Sequence, residues 1–201
     1  MGLPPRDTPL LAFGSLNPVP GHSVLESMME QREVVSLKQV RWLGVLSDTH
    51  GDVLNTRLAA DVFRAYAVEA VVHCGDIGSE EIPAVLAAWP THYVLGNVDR
   101  GCPELASAVR AAGHTLHGRF AALTASGRRI AVLHSDNLDQ FEAAIVSGDW
   151  DLICHGHTHQ ARQFQQRQTL VLNPGAVHRG LPPSVAIVDL ESLQVSTIPL
   201  E

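Results

Sequence analysis

The sequence predicts a layered α/β domain. Two observations carry that expectation: apolar runs of strand length alternate with stretches of helical periodicity, and most of those runs end in a carboxylate, an amide or a histidine. Size and composition agree, since 201 residues with 45% apolar and 17% charged side chains suffice for one folded core.

Taken in chain order, residues 1–39 read as an N-terminal extension, partly disordered. Pro4, Pro5, Pro9, Pro18 and Pro20 remove backbone donors and leave little periodicity, although a short helix is expected around Leu25, Met28 and Met29. The domain proper covers 40–201. Its first strand is Trp42–Leu46, and Leu54, Leu58, Val62 and Tyr66, every fourth residue, are expected as the buried stripe of a helix. Apolar runs at 70–74 and 93–95 follow. A second helix has Pro103 in its first turn and Gly113 at its end. The run at 130–133 leads into a helix over 137–146 with Asn137 as N-cap. Runs at 152–154 and 170–172, then strands at 185–188 and 195–198, close the domain. The chain contains no internal repeat, no GxGxxG and no Walker-type loop.

Charge narrows the function. With 14 basic against 21 acidic side chains the formal charge is -7, which argues against the basic footprint of a nucleic-acid polymer or membrane-surface binder. A short anionic substrate is still admissible where metal ions supply positive charge. The three cysteines, Cys74, Cys102 and Cys154, are odd in number and lack CxxC spacing, so they read as thiols of a reducing compartment. No apolar run approaches the roughly 18 residues that span a bilayer, and the patch at 10–13 is too short for a signal-peptide core. A cytoplasmic protein is expected.

The chemistry lies after the strands. "SDTHG" brings Asp48 and His50, "HCGDIG" Asp76, "LGNVD" Asn97, "LHSDN" His134, and "HGHTH" His155, His157 and His159. Loops leaving the carboxyl ends of strands in an α/β sheet converge on one crevice. Two Asp, one amide and three or four imidazoles exceed the needs of one tetrahedral zinc and suit two metals sharing a bridging carboxylate. Singly, each motif has a plainer reading: Asp as a helix cap, GD and GN as turns, His134 as a hydrogen-bonded core histidine, HGHTH as an adventitious surface cluster. Their joint placement behind apolar strands favours a site.

Together Asp48-x-His50, Gly75-Asp76, Gly96-Asn97, His134 and Gly156-His157-Thr158-His159 resemble the calcineurin-like metallophosphoesterases. The short length and Asn173-Pro174-Gly175 resemble the small single-domain phosphodiesterases among them, relatives of the retromer scaffold subunit. The resemblance spans about residues 40–200. It implies a four-layer α-β-β-α sandwich of two mixed sheets, with a dinuclear metal site at the C-terminal ends of the strands. Carried over residue by residue, Asp48, His50 and His159 would hold one metal, Asn97, His134 and His157 the other, and Asp76 both. His155 falls outside that set, as a packed residue. Asp76, Asn97 and His134 are in addition the catalytic candidates. The implied cofactors are two divalent ions, manganese first, with iron, nickel or zinc tolerated.

The implied function is a phosphodiesterase acting on a small organic phosphate ester, such as a nucleotide or cyclic nucleotide, by in-line attack of a metal-bridging hydroxide. A phosphomonoesterase and a non-catalytic scaffold on the same fold compete with it. The expected partner is that small ester, without a membrane or an extended nucleic-acid surface. Two departures stand out. Val98 occupies the position where many relatives carry a histidine near the leaving group, which points to substrates whose leaving group needs little protonation or to another donor such as His178. Ser135 replaces the glycine that often follows the fourth motif's histidine, and its Cβ is expected to narrow the pocket or tilt the loop. Asp99 and Asp136 are candidates to orient the histidines.

Overall fold

The computed structural model describes residues 34–37 and 39–201. The helix expected around Leu25, Met28 and Met29 lies outside them. One sheet runs, in spatial order, β1 (Val35–Leu37), β6 (Phe120–Ala125), β7 (Arg128–Leu133), β8 (Leu152–Cys154), β10 (Thr169–Asn173) and β9 (Arg162–Gln166). The other runs β12 (Gln194–Pro199), β11 (Ser184–Asp189), β2 (Trp42–Leu46), β3 (Ala70–His73), β4 (Thr91–Tyr93) and β5 (Thr115–Leu116). Both are mixed: β7, β8 and β10 are parallel to one another, as are β2 to β5, and antiparallel strands flank them.

Alternation along the strands builds two cores. Leu43, Val45, Val72 and Cys74 meet Ile130, Val132, Leu152 and Cys154 between the sheets. Their neighbours Leu46, Val71 and Tyr93 point the other way, into α1 (Val53–Ala65) and α3 (Pro103–Ala111). A short helix, α2 (Ile82–Val85), joins that layer, while α4 (Leu138–Ser147) connects the parallel β7 and β8 and sets Phe141 against His155. The expected four-layer sandwich is therefore the fold. Among the described residues no helix is long and apolar enough to cross a membrane.

Several details differ from expectation. Val35–Leu37, assigned to the extension, pairs in parallel with β6 and buries Leu37, so the folded body reaches back past residue 40. Three residues are too few to show a period. The face of α1 is also different: Leu54 is 74% exposed and Tyr66 45%, whereas Thr56, Ala59, Ala60 and Phe63 are buried. A strict i+4 row turns by about 40° per step around a helix of 3.6 residues per turn, so it winds off any flat surface. The small Ala59 and Ala60 let α1 sit close to β2, where a Cβ on Gly44 would meet Phe63 at 3.0 Å.

The run expected at 93–95 is strand at Thr91–Tyr93, and Val94 and Leu95 continue it only through bonds to His73 O (3.1 Å) and Gly118 O (2.6 Å). Strands β6 and β9 were not foreseen. The first is alanine-rich, and its hairpin to β7 turns at Ser126 and Gly127, both with positive φ, as a tight two-residue turn requires. The second, "RQFQQ", is a polar edge strand with one partner.

The fold also buries neutral imidazoles. Burial, then the nearby His134, lowers the pKa of His73 to about 3; burial, then His117, lowers His92 to about 4; burial lowers His155 to about 4. In the unfolded chain these groups titrate near 6.5. Below that pH the unfolded state therefore gains protons that the folded state refuses until about pH 3 to 4. Their contribution is complete above pH 6.5 and shrinks as pH falls, by about 1.4 kcal/mol per unit for each histidine. At pH 5 the three together remove on the order of 5 kcal/mol, comparable with a whole domain's stability. Chelator-treated protein should show a much lower urea midpoint at pH 5 than at pH 7.5; equal midpoints would contradict this burial.

Candidate metal centre

The strand ends meet on one edge of the sandwich. Beyond β2 and β3 the pairing continues into the loops: Asp48 N donates to Gly75 O (3.0 Å), His50 N to Asp76 O (3.0 Å) and Gly51 N to Ile77 O (2.8 Å). From the other sheet, β7 delivers His134 and β8 the loop carrying His155, His157 and His159. His157 N donates to Asp48 Oδ2 (3.1 Å), which joins the two sheets across the site.

Within it, Asp48 Oδ1 lies 3.3 Å from His159 Nε2, 3.9 Å from His50 Nε2 and 4.0 Å from His134 Nε2. Asp76 Oδ2 lies 3.2 Å from His134 Nε2 and 3.8 Å from His50 Nε2, so it faces both sides. The two imidazole nitrogens of His50 and His159 are 3.3 Å apart. Two trios result, Asp48 with His50 and His159, and Asp48 with Asp76 and His134. Of the expected residues, His157 is exposed and packs its ring edge-on against His134, centroids 5.1 Å apart. Asn97 is exposed on the rim between Gly96 and Val98, with no hydrogen bond to the cluster among the described residues.

The donor set fits divalent cations. Asp48 Oδ1 and His134 Nε2 are buried with no hydrogen bond, and such atoms cost about 1–3 kcal/mol each when left without a partner. Carboxylate oxygens and imidazole nitrogens converging on one space are the ligands that borderline metals take. Backbone conformation points the same way: Asp48 (φ 56°), His50 (43°), Asp76 (54°), His157 (72°) and His159 (58°) are all left-handed. That region is disfavoured for residues with a side chain, at a cost of order 1 kcal/mol or more apiece, and it recurs where a site needs its ligands aimed.

With this geometry in view, residues 42–193 match the calcineurin-like phosphoesterase superfamily domain. The chain belongs to the calcineurin-like phosphoesterase superfamily. It is a metallophosphoesterase, of a divalent-metal-dependent family. A phosphodiesterase of Methanocaldococcus jannaschii is 29% identical over 169 residues, 79% of this chain and 99% of that protein. A solved archaeal phosphodiesterase superposes with a TM-score of 0.73 at 27% identity, covering 79% of this chain and 99% of its own. Vps29 of Entamoeba histolytica, solved with zinc, has a TM-score of 0.54 at 14% identity, covering 80% and 99%, a likeness of fold alone.

In this metallophosphoesterase the candidate site is held together by residues whose contacts differ from those expected. Asp99 does not touch a histidine. Its buried carboxylate accepts from Ile77 N (2.9 Å), Gly78 N (3.0 Å) and Gly96 N (2.8 Å), welding the loops of Asp76 and Asn97 together. Asp136 accepts from Arg119 and, at 3.4 Å, from Arg100. The orienting partner of His134 is instead the Cys74 carbonyl, which takes the Nδ1 proton at 2.8 Å and leaves the Nε2 lone pair facing the cluster. Ser135, expected to crowd the pocket, donates to Gly156 O (3.1 Å) and accepts from His155 Nδ1 (3.1 Å), so it ties the two histidine loops of this sheet.

Thr49 and His73 are supports not read from the sequence. Thr49, between Asp48 and His50, donates to Ile77 O (3.0 Å) and accepts from His73 Nε2 (2.9 Å), while His73 Nδ1 accepts from Gly75 N (3.2 Å). The signal available was a histidine ending an apolar strand, three residues before Asp76. Asn173 donates to Gly156 O (2.9 Å) and Thr158 Oγ1 (3.1 Å), which gives "NPG" its task. His178 places Nδ1 3.1 Å from Asp52 Oδ2, and its ring centroid lies 5.8 Å from that of His50.

Electrostatics follow from this packing. Burial lifts the Asp76 carboxyl, but His134 and the Val98 N–H outweigh it and hold its pKa below the usual range. Burial lowers the pKa of His50 more than the two carboxylates raise it, so its lone pair is available. For His134 burial also lowers the pKa, yet Asp76 and Asp48 together raise it above its ordinary value.

Proposed function

We propose that this metallophosphoesterase is a phosphodiesterase that hydrolyses a small organic phosphate ester of the nucleotide or cyclic-nucleotide class. The observation that carries the reading is the pair of ligand trios sharing Asp48, with Asp76 facing both. Asp48, His50 and His159 would hold one ion, His134, His157 and Asn97 the other, and Asp76 would serve both. Divalent ions, manganese first, supply positive charge for the phosphoryl oxygens when bound, and make a water acidic enough to ionise near neutral pH.

The chain's own residues do the rest. Val98 N donates to Asp76 Oδ1 (3.0 Å), which keeps Oδ2 turned toward His50 and His134. The Val98 side chain is exposed at the rim and offers no proton, which favours esters whose alcohol leaves with little assistance. Where a proton is needed, His178 Nε2 delivers it to the leaving oxygen, with Nδ1 fixed on Asp52. The diester preference is further supported by the phosphodiesterase among the relatives. Three free thiols, two of them buried, support a reducing cytoplasmic setting.

Turnover of bis(p-nitrophenyl) phosphate and p-nitrophenyl phosphate with added manganese tests the reading. The expected kcat/KM is at least about tenfold higher for the diester, a difference of about 1.4 kcal/mol in transition-state binding. Equal values would contradict the diester preference, and the reverse order would make the protein a monoesterase.

A further inference from the structure

We propose that Arg100 forms an anion subsite beside the cage, receiving a second phosphate carried on the nucleoside of the ester. The inference rests on the phosphodiesterase reading and names the substrate class more narrowly: a diester of a nucleoside that bears another phosphate.

Two arginines divide the charge of Asp136 between them. This carboxylate stands two residues after His134, in the loop that leaves β7. It is thus close to the part of the cage that His134 and His157 form. Arg119 is half-buried and holds Asp136 Oδ1 in a tight contact, while its other nitrogen donates to Gly96 O at 3.2 Å. That guanidinium is committed: it pins the Asn97 loop to the His134 loop, and its charge is spent on Asp136.

Arg100 is placed differently. It follows Asp99 in the same loop as Asn97, its side chain is 70% exposed, and its one polar contact among the described residues is a 3.4 Å approach to the remaining oxygen, Asp136 Oδ2. Because Arg119 already neutralises Asp136, the positive charge of Arg100 is left largely uncompensated at the mouth. The carboxylate of Asp99, the nearest other negative group in the loop, is turned inward onto three backbone N–H groups. Asp136 therefore steers the guanidinium toward His134 and His157 without saturating its donors. A planar guanidinium with free N–H groups is suited to bidentate contact with phosphate. With a net charge of -7 the protein surface offers a second phosphate little attraction away from the ions, and Arg100 supplies a cation for it.

Two chromogenic diesters test this, thymidine 5′-(p-nitrophenyl phosphate) and its 3′-phosphorylated counterpart, which differ only by the second phosphate. Manganese content, KM and kcat are measured for the wild type, Arg100→Ala and Arg100→Lys. The wild type is expected to show a KM about tenfold lower for the 3′-phosphorylated ester with similar kcat, and this preference should shrink as salt rises. Arg100→Ala should bring the two KM values together while still taking up two manganese ions, and Arg100→Lys should keep part of the preference. A wild type with two ions and equal KM values overturns the subsite alone, as does an Arg100→Ala variant that keeps the wild-type preference. Protein that takes up no metal and turns over neither ester overturns the phosphodiesterase reading and the subsite with it.

Discussion

Asp76→Ala is expected to retain at most one tightly held divalent ion per chain and to lose diester turnover by at least about 10³-fold. Asp76 Oδ2 lies 3.2 Å from His134 and 3.8 Å from His50, close to histidines on both sides of the cage. Its removal leaves His134 Nε2 buried with one carboxylate neighbour instead of two. The Asp48, His50 and His159 trio survives the change, so one ion should remain, but with nothing to position a second. Asp76→Asn separates charge from shape: it keeps an acceptor for Val98 N and should preserve the fold while still losing the second ion. Metal analysis beside kinetics reads both effects. Two ions and near-normal turnover in Asp76→Ala would refute the role given to this side chain.

Gly156→Ala is the second large effect, and it acts through space. A Cβ at this position would overlap Ser47 Oγ and come within 2.7 Å of Asp48 Oδ2, both on buried side chains. Neither can retreat: Asp48 Oδ2 holds His157 N, and Ser47 lies at the end of β2 with its carbonyl bonded to Val177 N. Overpacking of this kind costs about 1–3 kcal/mol. For a chain of this size that corresponds to a fall in Tm of roughly 3–10 °C. The clash also pushes Asp48 away from His159, so metal affinity should fall with stability. Gly127→Ala, at a turn with nothing within 4 Å, provides the comparison: it should cost only its positive φ and leave metal uptake intact. Equal metal affinity in Gly156→Ala and Gly127→Ala would show that the close packing of Gly156 on Asp48 does not matter.

The candidate ligands were legible because their chemistry is written in side-chain type and in position after apolar runs. Asp48, His50, Asp76, His134 and His159 need no knowledge of the third dimension beyond the tendency of strand ends to share a crevice. What holds them in place was not legible. Asp99 reads as a carboxylate like any other, and its task depends on three N–H groups that only the folded loops bring together. The left-handed backbone at Asp48 and His159 is likewise set by neighbours, not by composition. At α1 the i+4 spacing of Leu54 to Tyr66 misled, because the buried face was carried by alanines too small to dominate a hydrophobic pattern. Strand β1 was too short to register and exists through pairing with β6.

Anomalous scattering from crystals grown with manganese locates the ions themselves. Two manganese peaks per chain are expected, about 3.5–4 Å apart. One should lie among Asp48, His50 and His159 and the other beside Asp76 and His134. A single peak, or none within reach of Asp48 and Asp76, would contradict the two-ion cage.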